Sequence, residues 1–174
     1  LGVIGLGGIG RAIAGRAVPF RMRILYNATR EKKDVPYTFV GDVVELARQS
    51  DYLMVACKGG PETRHLVSKA VIDAVGPEGT LINVARGTVV DEEALIDALA
   101  SKRLGWAALD VYASEPNFDP RLLEFPNVLL QPHHGTGAIE TRTPMRAAGR
   151  GNLARGAERG PPVPPGAAAG NPPQ

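Results

Sequence analysis

Residues 1–10 read LGVIGLGGIG. The apolar residues Leu1, Val3 and Ile4 lead into glycines at Gly5, Gly7 and Gly10, and a helix-forming run from Arg11 to Val18 follows at once. This is the pattern of a buried strand, a tight glycine turn and a helix N-terminus, with the spacing G-x-G-x-x-G of a dinucleotide fingerprint. Each glycine has a separate physical task. Gly5 allows the sharp turn, Gly7 lets the backbone approach a pyrophosphate, and Gly10 lets the helix sit close to the strand. The unpaired N–H groups of the first helical turn then face an anion. The expected nucleotide contacts here are Gly5, Gly7, Gly8, Ile9 and Gly10.

The rest of the chain repeats the strand–helix alternation. Strands are expected at 23–26, 35–40, 51–57, 80–85, 106–111 and 128–131. Helices are expected at 42–49, capped by Asp42, at 61–75, stopped by Gly76-Pro77, at 91–99, whose acidic start suits the helix dipole, and at 139–154, where Gly149 and Gly151 weaken the pattern. Such alternation predicts an α/β fold: a doubly wound parallel sheet of Rossmann type, with a single dinucleotide-binding domain over residues 1–155. Residues 156–174, rich in Pro, Gly and Ala, read as a disordered or extended tail.

Composition narrows the function. The chain has 174 residues, 44% hydrophobic and 22% charged, with a formal net charge of +2. No basic run with interleaved aromatics appears, so nucleic acid is not read as a partner. No apolar run is long enough for a transmembrane helix, so no membrane partner is read. The single cysteine, Cys57, excludes an internal disulfide and fits a reducing compartment, hence a cytoplasmic reading. No metal site is read. The chain begins, in effect, inside the fingerprint, which points to a piece of something longer.

The second strand ends Leu25-Tyr26-Asn27, followed by Ala28-Thr29-Arg30. In this fold that position meets the adenosine ribose, and an acidic residue there favours NAD. Here the acid is absent. Thr29 can hydrogen-bond a 2′-phosphate and Arg30 can pair with one, with Lys32 and Lys33 adding positive potential. The same charges also suit a solvated turn. NADP is the preferred cofactor on this reading, with NAD second.

Three residues from position 86 onward follow strands that end at the carboxyl edge of the sheet, where ligands of open α/β sheets bind. They are Arg86 in NVARG, Glu115 in DVYASEP and His133 in QPHHG. Arginine matches a carboxylate with two parallel hydrogen bonds. A protonated histidine can give its proton to a carbonyl oxygen as hydride reaches the carbon. A neighbouring carboxylate favours the charged histidine. Together they make a site for reducing a 2-oxo acid. Singly, each also has a structural reading: a loop cap, an exposed turn residue before Pro116, a histidine bonded within a loop.

These motifs resemble the D-isomer-specific 2-hydroxyacid dehydrogenases. GLGGIGRAIA is similar to the fingerprint of that family, GPETRHLV to the segment after its fourth strand, LINVARGTVVDEEALIDAL to its signature run, and ALDVYASEP and PNVLLQPHHG to two further motifs. The resemblance covers roughly residues 1–143. It implies Arg86 as the substrate-binding arginine, His133 as the acid/base and Glu115 as its partner. It implies Asp110 at the nicotinamide carboxamide, with Cys57, Val84, Ala85, His134 and Gly135 near the nicotinamide half. His134 sits beside His133, and the motif position favours His133. Thr29-Arg30 without the acid resembles the NADP-preferring glyoxylate and hydroxypyruvate reductase branch. Homodimers are implied as well. The family carries a second, substrate-binding domain that comes mostly from the N-terminal part of the chain. Starting at the fingerprint, this sequence is expected to lack it. The alternatives are a nucleotide-binding fragment or regulator without turnover, and a methyltransferase on the same fold.

Overall fold

The computed structural model describes residues 1–157. The elements run β1 (Gly2–Ile4), α1 (Gly8–Ala17), β2 (Leu25–Asn27), β3 (Thr38–Phe39), α2 (Val43–Arg48), β4 (Tyr52–Val55), α3 (Lys69–Val75), β5 (Thr80–Asn83), α4 (Glu92–Ala100), β6 (Trp106–Leu109), β7 (Val128–Leu130) and α5 (Ile139–Ala157). The seven strands form one sheet in the order β3-β2-β1-β4-β5-β6-β7, and every pairing is parallel. The order reverses between β1 and β4, with Ile4 paired to Val55 at that junction. This is the switch point at which ligands of such sheets bind.

Side-chain alternation along the strands sorts the core into two layers. Ile4, Leu25, Leu53, Val55, Leu81 and Leu109 pack with Leu46, Val71, Ile72, Leu95 and Leu99 from α2, α3 and α4. On the other side of the sheet, Val3 and Tyr26 pack with Ala14 and Ala17 of α1. That side carries less helix: Tyr52 and Trp106 are 46% and 56% exposed.

The compact unit Leu1–His133 holds the whole sheet, and a second unit begins at His134. Helix α5 belongs to the second unit. It passes through Pro144, Gly149 and Gly151 and ends at Ala157, three residues beyond the expected end. The rest of the expected tail, residues 158–174, lies outside the described residues.

Local signals account for most boundaries. Asp42 caps α2, its carboxylate accepting the Glu45 N–H at 2.7 Å, and Asp91 caps α4 through the Ala94 N–H at 3.2 Å. Gly76, at φ 82°, stops α3. One expectation fails. The helix predicted over 61–75 is a short turn at Pro61–Thr63 and then α3 from Lys69. Between them the chain turns through residues 64–66, with His65 at φ 50°, and makes one parallel bridge between Val67 and Val90: the His65 N–H donates to the Thr88 carbonyl at 2.9 Å, and Val67 exchanges bonds with Val89 and Asp91 at 3.0 Å. Tertiary pairing of a fully buried Val67 overrides local helix propensity there.

Candidate functional site

The glycine turn connects β1 to α1. Gly5 has φ 92°, and a Cβ placed on it would come within 2.4 Å of the Cys57 Cα. A Cβ on Gly10 would lie 2.0 Å from the Gly5 carbonyl oxygen. These two glycines are needed by the protein itself, to bring strand, turn and helix together. Gly7 and Gly8 differ: a Cβ on either meets no protein atom within 4 Å. Their lack of side chains leaves open space above the first turn of α1. Gly7 caps that helix without any side-chain hydrogen bond, so the leading N–H groups point outward. Ile9 is 62% exposed beside them.

A cleft of about 380 Å³ opens along this turn, lined among others by Gly5, Ala28, Thr29, Lys32 and Cys57. Burial pushes the Cys57 thiol above its usual range, which keeps it neutral. Bare glycine backbone, outward N–H groups and an adjoining cleft at the switch point suit a dinucleotide pyrophosphate with its adenosine half toward the end of β2. Ala28 and Thr29 stand at that end. Arg30 is exposed and does not line the cleft, whereas Lys32 does.

The other predicted residues of the first unit lie along the same carboxyl edge. Val84 and Ala85 follow β5, with the Val84 N–H on the Val55 carbonyl at 3.2 Å. Asp110 follows β6, its N–H donating to the Asn83 carbonyl at 3.1 Å. Arg86 is exposed, and its guanidinium donates to the Ala85 carbonyl at 2.6 Å. Glu115 and His133 meet: the carboxylate Oε2 lies 2.6 Å from His133 Nδ1. The second carboxylate oxygen, Oε1, accepts the Tyr112 N–H at 2.9 Å. Desolvation works to raise the Glu115 pKa, but the hydrogen bonds from His133 and the Tyr112 N–H, with the charges of His133 and Arg86, hold it below its ordinary 4.5. His133 adopts φ 51°, an uncommon conformation for a residue with a side chain. His134 and Gly135 open the second unit.

The His133 and Glu115 side chains are 47% and 33% exposed. Ion pairs that accessible are worth about 0–1 kcal/mol. Stability does not explain a pair held this way on a left-handed backbone, and such outliers concentrate at functional sites.

Four residues absent from the predicted set hold the site together. Tyr112 supplies the N–H to Glu115, and its hydroxyl donates to the Gln131 carbonyl at 2.7 Å, two residues before His133. One residue thus holds Glu115 through its backbone N–H and the approach to His133 through its hydroxyl. Asn83 is 1% exposed. Its amide accepts the Ala85 N–H and donates to the Arg86 carbonyl, both at 3.0 Å, which fixes the turn that carries Arg86. Gly87 packs against Tyr112, where a Cβ would sit 1.9 Å from the carbonyl. Gly59 lies under the Arg86 stem, where a Cβ would sit 2.5 Å from its Cγ. In the sequence these residues signal only a strand-end polar residue, an aromatic after a strand and two loop glycines. The contacts of Tyr112 with Gln131, of Gly87 with Tyr112 and of Gly59 with Arg86 join residues distant in the chain, so no local spacing reveals them.

Alongside the pair, Tyr112, Pro116, Phe118, Leu123 and Leu130 line an apolar cleft of about 400 Å³ that also reaches Glu115 and His133.

Comparison with known proteins agrees with this geometry. Residues 1–135 match the family described as D-isomer specific 2-hydroxyacid dehydrogenase, NAD binding domain. The chain is 49% identical over 153 residues to hydroxyphenylpyruvate reductase of Plectranthus scutellarioides, covering 88% of this chain and 49% of that protein. Identity and coverage are the same against glyoxylate/hydroxypyruvate reductase A of Arabidopsis thaliana. Among solved structures it is similar to the NADPH-dependent glyoxylate/hydroxypyruvate reductase of Sinorhizobium meliloti in complex with NADP and malonate. There the TM-score is 0.91 at 38% identity, over 96% of this chain and 52% of that one. The chain spans about half the length of the curated relatives it matches. With the glycine turn, the strand order and the match over residues 1–135, the chain belongs to the D-isomer specific 2-hydroxyacid dehydrogenase family, whose NAD-binding domain it contains.

Proposed function

We propose that this chain is the cofactor half of an NADP-dependent reductase of small 2-oxo acids, of the glyoxylate and hydroxypyruvate type, with NAD as the weaker cofactor. The observation that carries the reading is the hydrogen-bonded Glu115–His133 pair at the same sheet edge as Arg86 and the glycine turn. A bound nicotinamide supplies the hydride. Arg86 takes the substrate carboxylate through two parallel hydrogen bonds, which orients the neighbouring carbonyl. Glu115, an anion at neutral pH, engages Nδ1 of His133 and sets the direction of the ring. The other ring nitrogen, Nε2, then delivers the proton to the carbonyl oxygen, and the product is the D-2-hydroxy acid. Thr29, Lys32 and Arg30 supply hydrogen bonding and positive charge for the 2′-phosphate of NADP. Asp110, with Val84 and Ala85, serves the nicotinamide end.

The test has two arms. Fluorescence titration of this chain should show NADPH binding more tightly than NADH. The chain joined to the substrate domain of a relative should oxidise NADPH with glyoxylate or hydroxypyruvate. His133→Ala should lower that turnover by roughly 10²–10⁴-fold, the usual share of general acid catalysis, and His134→Ala should not. A dead His134→Ala with a normal His133→Ala would reverse the histidine assignment.

The reading includes homodimers, since closed two-fold pairing is the commonest assembly. The exposed Tyr52 and Trp106 on the sheet face that carries less helix support it. Light scattering that gives a monomer at high concentration would count against it.

A further inference from the structure

Between β2 and β3 the chain makes no helix, yet it is clipped at several points. Asn27 donates its side-chain amide to the Val40 and Gly41 carbonyls, both at 2.9 Å. Asp34 pairs with Arg11 of α1 at 2.9 Å. The clip nearest the cleft is Tyr26. Its ring is completely buried against α1, with the Phe39 ring 5.5 Å away. Its hydroxyl emerges under the loop and accepts the backbone N–H of Lys32 at 2.7 Å, with the Lys32 carbonyl at 3.4 Å. Lys32 is thus held by its own peptide, and it lines the cleft together with Ala28 and Thr29 at the ribose end.

We infer that Tyr26 is a positioning residue for cofactor choice: its buried hydroxyl fixes the Lys32 peptide so that Lys32 stands at the cleft to read the 2′-phosphate of NADP. This rests on the NADP reading above. A flexible lysine on an untethered loop loses side-chain and backbone freedom when it pairs with a phosphate. A lysine whose backbone is already pinned to the core loses less, so the hydroxyl raises affinity only for the ligand that carries the phosphate. NADH, which lacks that group, gains nothing. The tyrosine ring by itself would fill the core equally well as phenylalanine; the hydroxyl is the part that acts on the loop.

The experiment is fluorescence titration of this chain with NADPH and with NADH, on the wild type, Tyr26→Phe, Lys32→Met and the double variant. Tyr26→Phe should weaken NADPH by roughly two- to tenfold, the span of one ordinary hydrogen bond, with NADH unchanged. Lys32→Met should weaken NADPH at least as much and again spare NADH. In the double variant Tyr26→Phe should add little. A hydroxyl that serves only the core would lower the melting temperature and leave the NADPH-to-NADH ratio as it was; that result overturns the inference, as does equal loss for both cofactors. Lys32→Met with unchanged NADPH affinity overturns it independently, even if Tyr26→Phe does not fold. A wild type that prefers NADH, or binds neither cofactor, refutes the NADP reading itself and this inference with it. The separate failure, a wild type that prefers NADPH with an unchanged ratio in Tyr26→Phe, leaves the NADP reading standing.

Discussion

His133 Nδ1 lies 2.6 Å from Glu115 Oε2, across 18 residues of sequence and on a histidine backbone at φ 51°. Both side chains are partly exposed, and the carboxylate is held a second time by the Tyr112 N–H. The bond therefore orients the imidazole more than it stabilises the fold, and the predictions below separate those two effects.

The first concerns pH. Glu115 has a depressed pKa in the folded state, so its charge stabilises the protein above the ordinary carboxylate value, and the contribution is lost as pH falls through the folded pKa, below 4.5. Glu115→Gln keeps the shape and has no charge to lose. The melting temperature of the wild type should exceed that of the variant near neutral pH, and the gap should close as pH falls through the depressed pKa, below 4.5. Partial exposure of the pair keeps the gap small. A gap that widens in acid would contradict the sign of this linkage.

The glycines of the turn should divide by role. Gly7→Val places its side chain in open space, so melting temperature should hold while NADPH binding is lost. Gly10→Ala drives a Cβ into the Gly5 carbonyl and should destabilise the domain by about 1–3 kcal/mol, the usual cost of overpacking. Thermal melts beside cofactor titrations check both. Unchanged NADPH affinity in Gly7→Val would place the nucleotide elsewhere.

Tyr112→Phe removes the bond to the Gln131 carbonyl and keeps the ring. Chemical denaturation should show a loss of about 1 kcal/mol. Turnover of the chain joined to a substrate domain should fall while cofactor affinity stays constant, because the anchor of the His133 loop is lost and the glycine turn is untouched.

Gly59→Ala tests how Arg86 is held. The new methyl sits 2.5 Å from the Arg86 Cγ, so the stem must swing aside. The expected outcome in the same fusion is a raised KM for the 2-oxo acid with little change in stability. An unchanged KM would show that the stem position does not govern carboxylate binding.

The sequence by itself determined the alternation of strands and helices, the glycine turn and the positions of Arg86, Glu115 and His133 at strand ends. Those properties follow from short-range physics: apolar runs, caps such as Asp42 and Asp91, and glycine spacing. Short-range reasoning also erred where long-range contact won, as at Val67, whose burial beside Val89 broke a helix that local propensity favoured over 61–75. Only the tertiary structure shows that Lys32 and not Arg30 lines the cleft beside Ala28 and Thr29, with the Lys32 N–H on the buried Tyr26 hydroxyl. It alone decided that Tyr112, Gly87 and Gly59 frame the three chemical residues. The reason is one of distance along the chain. A parallel sheet brings together loops separated by tens of residues, and the hydrogen bonds and close packing between them depend on a register that no local window of sequence contains.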